Sequence, residues 1–195
     1  KGDIAEFGTM TGYSAVALAT AVNLRDFEYR NDPRGNKNLH FFDSFIGLPE
    51  ASKHEDKISP HVIDGIWSKG SCKGLSKKEF IKVIKRYINR SKFQVYEGWF
   101  KDTVSLIDED VSFSLVHIDG DLYESAIDVL ESLFKRKKIS KGAIILFDDW
   151  NCNASDPNLG EQKAFNEIIK KHNVIYSDEG GYCASAHKFI IHNYE

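Results

Sequence analysis

A chain of 195 residues with a net charge of −3 has room for one domain with a sizeable core, and a second full domain is not expected. The near-neutral balance gives no electrostatic reason to expect nucleic acid, no apolar run is long enough to span a membrane, and no signal peptide is expected from the opening residues. Three cysteines, Cys72, Cys152 and Cys183, are scattered and lack metal-binding spacing, so the reduced cytoplasm is the expected compartment.

Strands alternate with helices along the chain. Asp3-Ile4-Ala5-Glu6-Phe7 predicts a strand, Gly8-Thr9-Met10-Thr11-Gly12 a tight turn, and residues 13–24 a helix with Ala, Val and Leu at helical spacing. The G-x-x-x-G spacing is neither a dinucleotide fingerprint nor a phosphate loop. Glu6 ahead of the turn suits a cationic ligand better than a pyrophosphate. An ordinary α/β turn explains these residues equally well. Residues 25–38 are polar, contain Pro33-Arg34-Gly35 and predict a surface loop. Leu39-His40-Phe41-Phe42 predicts a second strand that ends in Asp43. An acid at that place accepts from a ribose diol in α/β nucleotide folds. Its plainer reading is a cap or turn aspartate.

The irregular run 44–74 is long for a connection and predicts part of an active-site rim. Ser76 and Glu79 form a capping box and Leu75 with Phe80 a hydrophobic staple. The helix they open runs to residue 90, with Phe80, Ile81, Ile84, Tyr87 and Ile88 as its apolar stripe. Phe93-Gln94-Val95-Tyr96-Glu97 is a third strand. Gly98-Trp99-Phe100 and a short helix over 103–107 follow.

Phe113-Ser114-Leu115-Val116-His117-Ile118 predicts a strand covered on both faces, and Asp119 and Asp121 stand at its end. A helix over 122–138 turns Ile127, Leu130, Leu133 and Phe134 to the core, and Lys135-Arg136-Lys137-Lys138 suit its dipole. The next strand, 143–147, ends in Asp148-Asp149-Trp150. Two parallel strands thus deliver several carboxylates to the crevice where open sheets bind ligands. Like charges that close call for a divalent cation, a cationic ligand or shared protons. A helix over 160–172 and two strands, 173–176 and 188–192, complete the chain. The loop 177–186, with Gly180-Gly181, permits a hairpin and an antiparallel last strand. His117 reads as a satisfied strand histidine pointing into the sheet. His54 and His187 fall in loops, with nothing to select them. Trp67 and Trp150 either pack or line an acceptor pocket, Trp150 being the nearer to the acids.

Glu6-Phe7-Gly8 with Gly12, Phe42-Asp43-Ser44-Phe45-Ile46-Gly47-Leu48-Pro49, Gly98-Trp99-Phe100 with Thr103, His117-Ile118-Asp119-Gly120-Asp121-Leu122-Tyr123-Glu124-Ser125 and Phe147-Asp148-Asp149-Trp150 together resemble the macrocin-type sugar O-methyltransferases. These belong to the class I S-adenosylmethionine-dependent methyltransferases. The resemblance covers nearly the whole chain, in order. It implies a Rossmann-like α/β domain over residues 1–195: a mostly parallel seven-stranded sheet with an antiparallel last strand and helices on both faces. It also implies an enzyme that uses S-adenosylmethionine and Mg2+ to methylate a hydroxyl of a small-molecule or glycan acceptor. Glu6, Gly8, Thr9, Gly12 and Ser14 would lie at the methionine half of the cofactor. Asp43 and Ser44 would hold the ribose, Gly98 and Trp99 would border the adenine, and Asp119 would sit near the amino acid end. Asp121, Asp148 and Asp149 would bind the metal and carry catalysis, with Asp121 also able to accept the hydroxyl proton.

Family members carry helices ahead of the first strand that help cover the substrate. A lid of that kind is expected to be missing from these 195 residues. The resemblance leaves room for a homo-oligomer. Two other readings stay open: a class I methyltransferase of a catechol-like or nitrogen acceptor, and a non-catalytic Rossmann-like binding module. The acid cluster speaks against the second, because buried unpaired carboxylates destabilise a fold unless something compensates them.

Overall fold

The computed structural model describes residues 2–30, 32 and 36–195. Pro33-Arg34-Gly35 of the expected surface loop lie outside them. Seven strands form one sheet: β1 (Asp3–Phe7), β2 (Leu39–Asp43), β3 (Phe93–Glu97), β4 (Phe113–Ile118), β5 (Ile139–Phe147), β6 (Ile175–Gly181) and β7 (His187–Asn193). Their order is β3-β2-β1-β4-β5-β7-β6. The first five are parallel, and β7 runs antiparallel to both β5 and β6. This is the expected seven-stranded, mostly parallel architecture.

The central strands β1, β2, β4 and β5 are largely apolar because both faces are covered. Ala5, Phe7, Phe42, Val116, Ile118 and Phe147 pack under α6 (Tyr123–Lys135) and α7 (Gly160–Lys171). Their alternates, Ile4 and Phe41, pack under α1 (Tyr13–Glu28) and α4 (Lys77–Ile84). Helix α1 therefore leaves β1 toward one face and α6 leaves β4 toward the other. The strand order reverses between β1 and β4, and a crevice opens there at their carboxyl ends. Gly8 is what lets the two ends meet. Its φ is 92°, and a Cβ on it would stand 1.8 Å from the carbonyl oxygen of Asp119.

Several element ends differ from the sequence reading. Helix α1 runs one turn further, to Glu28, where Asp26 takes the Lys92 ammonium at 2.6 Å. Helix α4 has its capping box but stops at Ile84. Ile88 stays buried in the turns beyond, and Tyr87 is exposed, outside the expected apolar stripe. The expected helix over 103–107 starts earlier, as α5 (Phe100–Thr103), and continues as one 3-10 turn. Helix α6 ends at Lys135, and the basic run after it does more than face a dipole. Lys138 is fully buried, and its ammonium donates to the carbonyls of Asp108 and Glu109 at 2.7 and 2.8 Å. Arg136 donates to the carbonyls of Val104 and Ile107. These two side chains satisfy backbone acceptors of the β3–β4 connection, a demand invisible in helical periodicity. Strand β6 extends through the Gly180-Gly181 pair expected in the loop, because antiparallel pairing with β7 continues to Gly181.

The long run after β2 contains two single-turn helices, α2 (His54–Lys57) and α3 (Pro60–Ile63). It is stitched to the sheet rather than loose. Leu75 N donates to the Met10 carbonyl at 2.9 Å, and a Cβ on Gly74 would stand 1.9 Å from that same oxygen. Asp56, almost fully buried, accepts from the backbone N–H of Tyr123 at 2.7 Å and of Glu124 at 3.1 Å. It thereby caps α6 from 67 residues away, where Leu122 supplies no side-chain cap. Burial raises the Asp56 carboxyl to about 6, against the opposing pull of those two N–H groups.

Asp56→Ala should cost about 1–2 kcal/mol of stability, the scale of a lost helix cap, as read by thermal unfolding. The folded state keeps the Asp56 proton to higher pH than the unfolded chain, so stability from this group falls as pH rises from about 4 to 6. Asp56→Asn has no such titration. Its melting temperature relative to wild type should therefore climb across that window and level off above it.

Candidate active site

The crevice is a cleft of about 290 Å³, lined among others by Gly8, Met10, Asp43, Gly98, Trp99 and Asp121. Of the residues singled out in the sequence, Ser44 and Asp119 also line it. Glu6, Thr9, Gly12, Ser14, Asp148 and Asp149 do not. Gly12 opens α1 and faces Phe80, and Ser14 is half-buried on that helix. Met10, Phe100, Gly120, Glu124 and Ser125 are lining residues that sequence reasoning did not assign to a site. Phe100, Gly120, Glu124 and Ser125 stand inside the quoted motifs and Met10 inside the glycine turn, which was the signal for them.

Asp43 organises the turn at one end of the cleft. Its Oδ2 accepts from Thr9 N at 2.7 Å, Thr9 Oγ1 at 2.8 Å and Met10 N at 3.2 Å. Its Oδ1 accepts from Phe45 N at 2.6 Å. The turn aspartate is thus also a cleft-lining one. Thr9 serves the site by holding Asp43. Ser44 Oγ donates to the Gly47 carbonyl at 2.7 Å and shapes the rim.

At the other end, β4 and β5 are paired so that Ile118 stands beside Phe147, and the acids that follow converge. Asp119, Asp121 and Asp149 each bring a carboxylate oxygen within 4.8 Å of the others. Asp121 sits at φ 60°, a left-handed conformation that aspartate tolerates. Burial, and then the Asp149 charge, raise Asp119 to about 7 and Asp121 to about 8. Burial raises Asp149 as well. A fourth acid, missed in the sequence, stands behind them. Glu161 is fully buried in the first turn of α7 and accepts from Asp149 N at 3.0 Å. Burial and Asp149 hold its carboxyl well above the usual range. Glu161 Oε1 and Asp149 Oδ2 are buried without a partner. In the sequence Glu161 looks like any first-turn acid.

Asp148, expected in the cluster, turns away from it. One of its oxygens lies 3.8 Å from His117 Nε2, and its side chain is 43% exposed. His117 Nδ1 lies 3.2 Å from Glu6 Oε1, and these two residues are register partners on β4 and β1. Burial alone would lower the imidazole, but the carboxylates of Asp148 and Glu6 push it up to about 10. His117 is therefore a satisfied strand histidine, as its place in the strand suggested. It is also an imidazolium bridging two acids.

Neither tryptophan singled out earlier lines the cleft. Trp67 is buried and stacked on His61 at 4.5 Å. Trp150 packs on Phe147 and Phe189 and stacks with His187 at 5.2 Å. His54 opens α2, and His187 lies in β7 with its Nε2 2.6 Å from Asp178. Cys152 Sγ is 3.3 Å from Asp149 Oδ1, and Cys72 Sγ is 3.9 Å from Asp121 Oδ1. Burial and these acids push both thiols up, to about 12 and about 11, so neither is an activated nucleophile.

A sheet of this order with its crevice between β1 and β4 is that of the class I methyltransferases. The O-methyltransferase NovP superimposes with a TM-score of 0.74 at 22% identity, over 99% of this chain and 73% of its own. The family model of macrocin O-methyltransferase matches residues 1–175, and the chain belongs to that family. It is 26% identical over 150 residues to demethyldecarbamoylnovobiocin O-methyltransferase of Streptomyces niveus, covering 76% of this chain and 53% of the relative. It is 27% identical over 157 residues to 8-demethyl-8-(2,3-dimethoxy-alpha-L-rhamnosyl)-tetracenomycin-C 4'-O-methyltransferase of Streptomyces olivaceus, covering 78% of this chain and 54% of that one. The chain spans about half the length of these curated relatives. Among the described residues no helix is long and apolar enough to cross a membrane.

His117→Leu should remove the charge that pairs buried Glu6 and cost about 3–5 kcal/mol in urea unfolding. Adding Glu6→Gln should recover most of that loss. A double variant as unstable as the single one would show that His117 stabilises by packing alone.

Proposed function

We propose that this chain is one catalytic domain that binds S-adenosylmethionine and transfers its methyl group to a hydroxyl of a sugar or glycosylated small molecule, with Mg2+ in the acid cluster. The observation that carries the reading is the meeting of Asp119, Asp121 and Asp149 beside a cleft at the sheet's reversal point. Family membership and the sugar named in one relative support the acceptor class. A non-catalytic module has no use for four converging acids, two of them with unpartnered buried oxygens.

The residues fit both groups. On the cofactor side, Gly8, Gly98, Trp99 and Gly120 bound a narrow cleft. Glu6, two residues before Gly8, keeps a buried oxygen without a partner, suited to a sulfonium or ammonium nearby. Asp43 Oδ1 takes one protein donor and retains capacity for a ribose hydroxyl. On the metal side, Asp119, Asp121 and Asp149 offer the hard oxygen donors that magnesium prefers. This set contains Asp119 where the sequence suggested Asp148. When bound, the ion would acidify a coordinated hydroxyl and fix its direction. Glu161 holds Asp149 through its backbone N–H, and His117 keeps Asp148 aside. Asp121, which lines the cleft, receives the hydroxyl proton in this reading.

Calorimetric titration with S-adenosylhomocysteine should show binding that Asp43→Ala weakens about tenfold or more, the loss of roughly one charged hydrogen-bond acceptor. Asp149→Ala should keep that affinity and lose about 100-fold or more in methyl transfer to a glycoside, on the scale of a lost catalytic group. Chelation should abolish transfer and added MgCl2 restore it. No binding by the folded protein would end the cofactor reading. Transfer by Asp149→Ala at the wild-type rate would end the metal reading.

A further inference from the structure

The β6–β7 hairpin brings an aromatic ring to the same end of the sheet as the acids. Tyr182 follows β6 directly, and its hydroxyl donates to the carbonyl oxygen of Phe147 at 3.4 Å. Phe147 is the residue before Asp148 and Asp149. The neighbouring rings are packed on one another: Phe147 on Phe165, Trp150 on Phe189, Phe165 on Phe189. Tyr182 is not part of that stack and is 42% exposed.

The hairpin backbone beside this ring is tied to the loop after β5. Asn151 N donates to the Ser185 carbonyl at 2.8 Å, and Asn151 Nδ2 to the Ala184 carbonyl at 3.2 Å. At the hairpin base, His187 pairs with Asp178 and stacks on Trp150. Asn151 stands two residues after Asp149, so the ring and the acid cluster are positioned by one short loop. The cleft lining is drawn from residues 8–128 and includes nothing of the hairpin. Tyr182 thus stands outside the cleft lining, by the end of β5, where the charges of Asp148, Glu161 and Asp119 reach its hydroxyl. Burial and the Asp148 carboxylate raise its hydroxyl further, so it stays a neutral donor.

We propose that Tyr182 is the stacking platform for the acceptor's sugar ring, a specificity contact on the side of the acid cluster away from the cofactor cleft. This rests on the reading that the acceptor is a sugar. A pyranose carries an apolar face of C–H bonds and a polar edge of hydroxyls. The negative face of an aromatic ring receives the C–H bonds and leaves the hydroxyl edge free. Here that free edge would turn toward Asp119, Asp121 and Asp149. An aromatic side chain suits this work better than a long flexible one, because it has few torsions to lose on binding. The phenol oxygen is not needed for stacking, which separates this role from a hydrogen-bonding one.

The test is saturation-transfer NMR with methyl α-L-rhamnopyranoside as the probe, on the protein with S-adenosylhomocysteine and MgCl2, for wild type, Tyr182→Phe, Tyr182→Leu and Tyr182→Ala. Wild type and Tyr182→Phe should pass saturation from aromatic protons to the C–H protons of one sugar face. Tyr182→Leu and Tyr182→Ala should bind the sugar about fivefold more weakly, the factor an aromatic contact supplies. Their S-adenosylhomocysteine affinity should be unchanged, which also certifies the fold. Sugar affinity equal to wild type in both non-aromatic variants would overturn the platform and leave the sugar reading standing. A wild type that binds S-adenosylhomocysteine but shows no saturation transfer would overturn the sugar reading and the platform with it.

Discussion

Four carboxylates are forced together at the carboxyl ends of β4 and β5, and their mutual repulsion is the constraint around which this end of the molecule is built. Asp119 and Asp121 line the cleft and meet Asp149 beside it, and Glu161 closes the group from behind. None of them could choose this arrangement for itself. Burial and like charge both penalise the ionised forms, which is why these carboxyls are raised. The parallel ladder imposes the meeting. Register between β4 and β5 brings Ile118 beside Phe147, and the next residues of each chain are the acids. Cores packed on both faces of the sheet hold that register against the repulsion.

His117 supplies opposite charge at one side of this group, and its placement divides the acids into two sets. His117 lies between Glu6 and Asp148 and compensates both. Among the described residues no salt bridge reaches Asp119, Asp121 or Asp149; Asp119 feels His117, and Asp149 feels His61, only at longer range. An uncompensated hard-oxygen site beside a neutralised one is an arrangement suited to an exchangeable cation. The same imidazolium explains how Glu6, fully buried on β1, is tolerated between apolar neighbours on its own strand.

The walls of the site come from segments that look unstructured. Asp56 caps α6 immediately after Asp121, and Ser52 donates to Glu124 at 2.6 Å. Ser59 and His61 meet Asn153, which begins three consecutive left-handed residues, Asn153, Ala154 and Ser155, just past the Asp148-Asp149 pair. Strain of that kind persists only where surrounding contacts over-determine the backbone. The excursion between β2 and α4 is thus a fixed wall, tied separately to the glycine turn, to α6 and to the loop after β5.

What the sequence determined by itself was whatever depends on neighbours along the chain. The five parallel strands, the Ser76–Glu79 cap and the acids at the ends of β4 and β5 were legible because they arise from local periodicity and local hydrogen bonds. The family was legible because its motifs are short and contiguous. The antiparallel last strand followed from a glycine-containing connection. Tertiary structure alone decided which acids face one another. Asp119 and Glu161 join Asp121 and Asp149, while Asp148 turns to His117, because side-chain direction at a strand end depends on partners from other elements. It also decided that Lys138 is buried on carbonyls, that Asp56 caps a helix 67 residues away, and that the Tyr182 hydroxyl meets the Phe147 carbonyl. Each of these is a long-range electrostatic or hydrogen-bonding demand, and no window of sequence contains both of its partners.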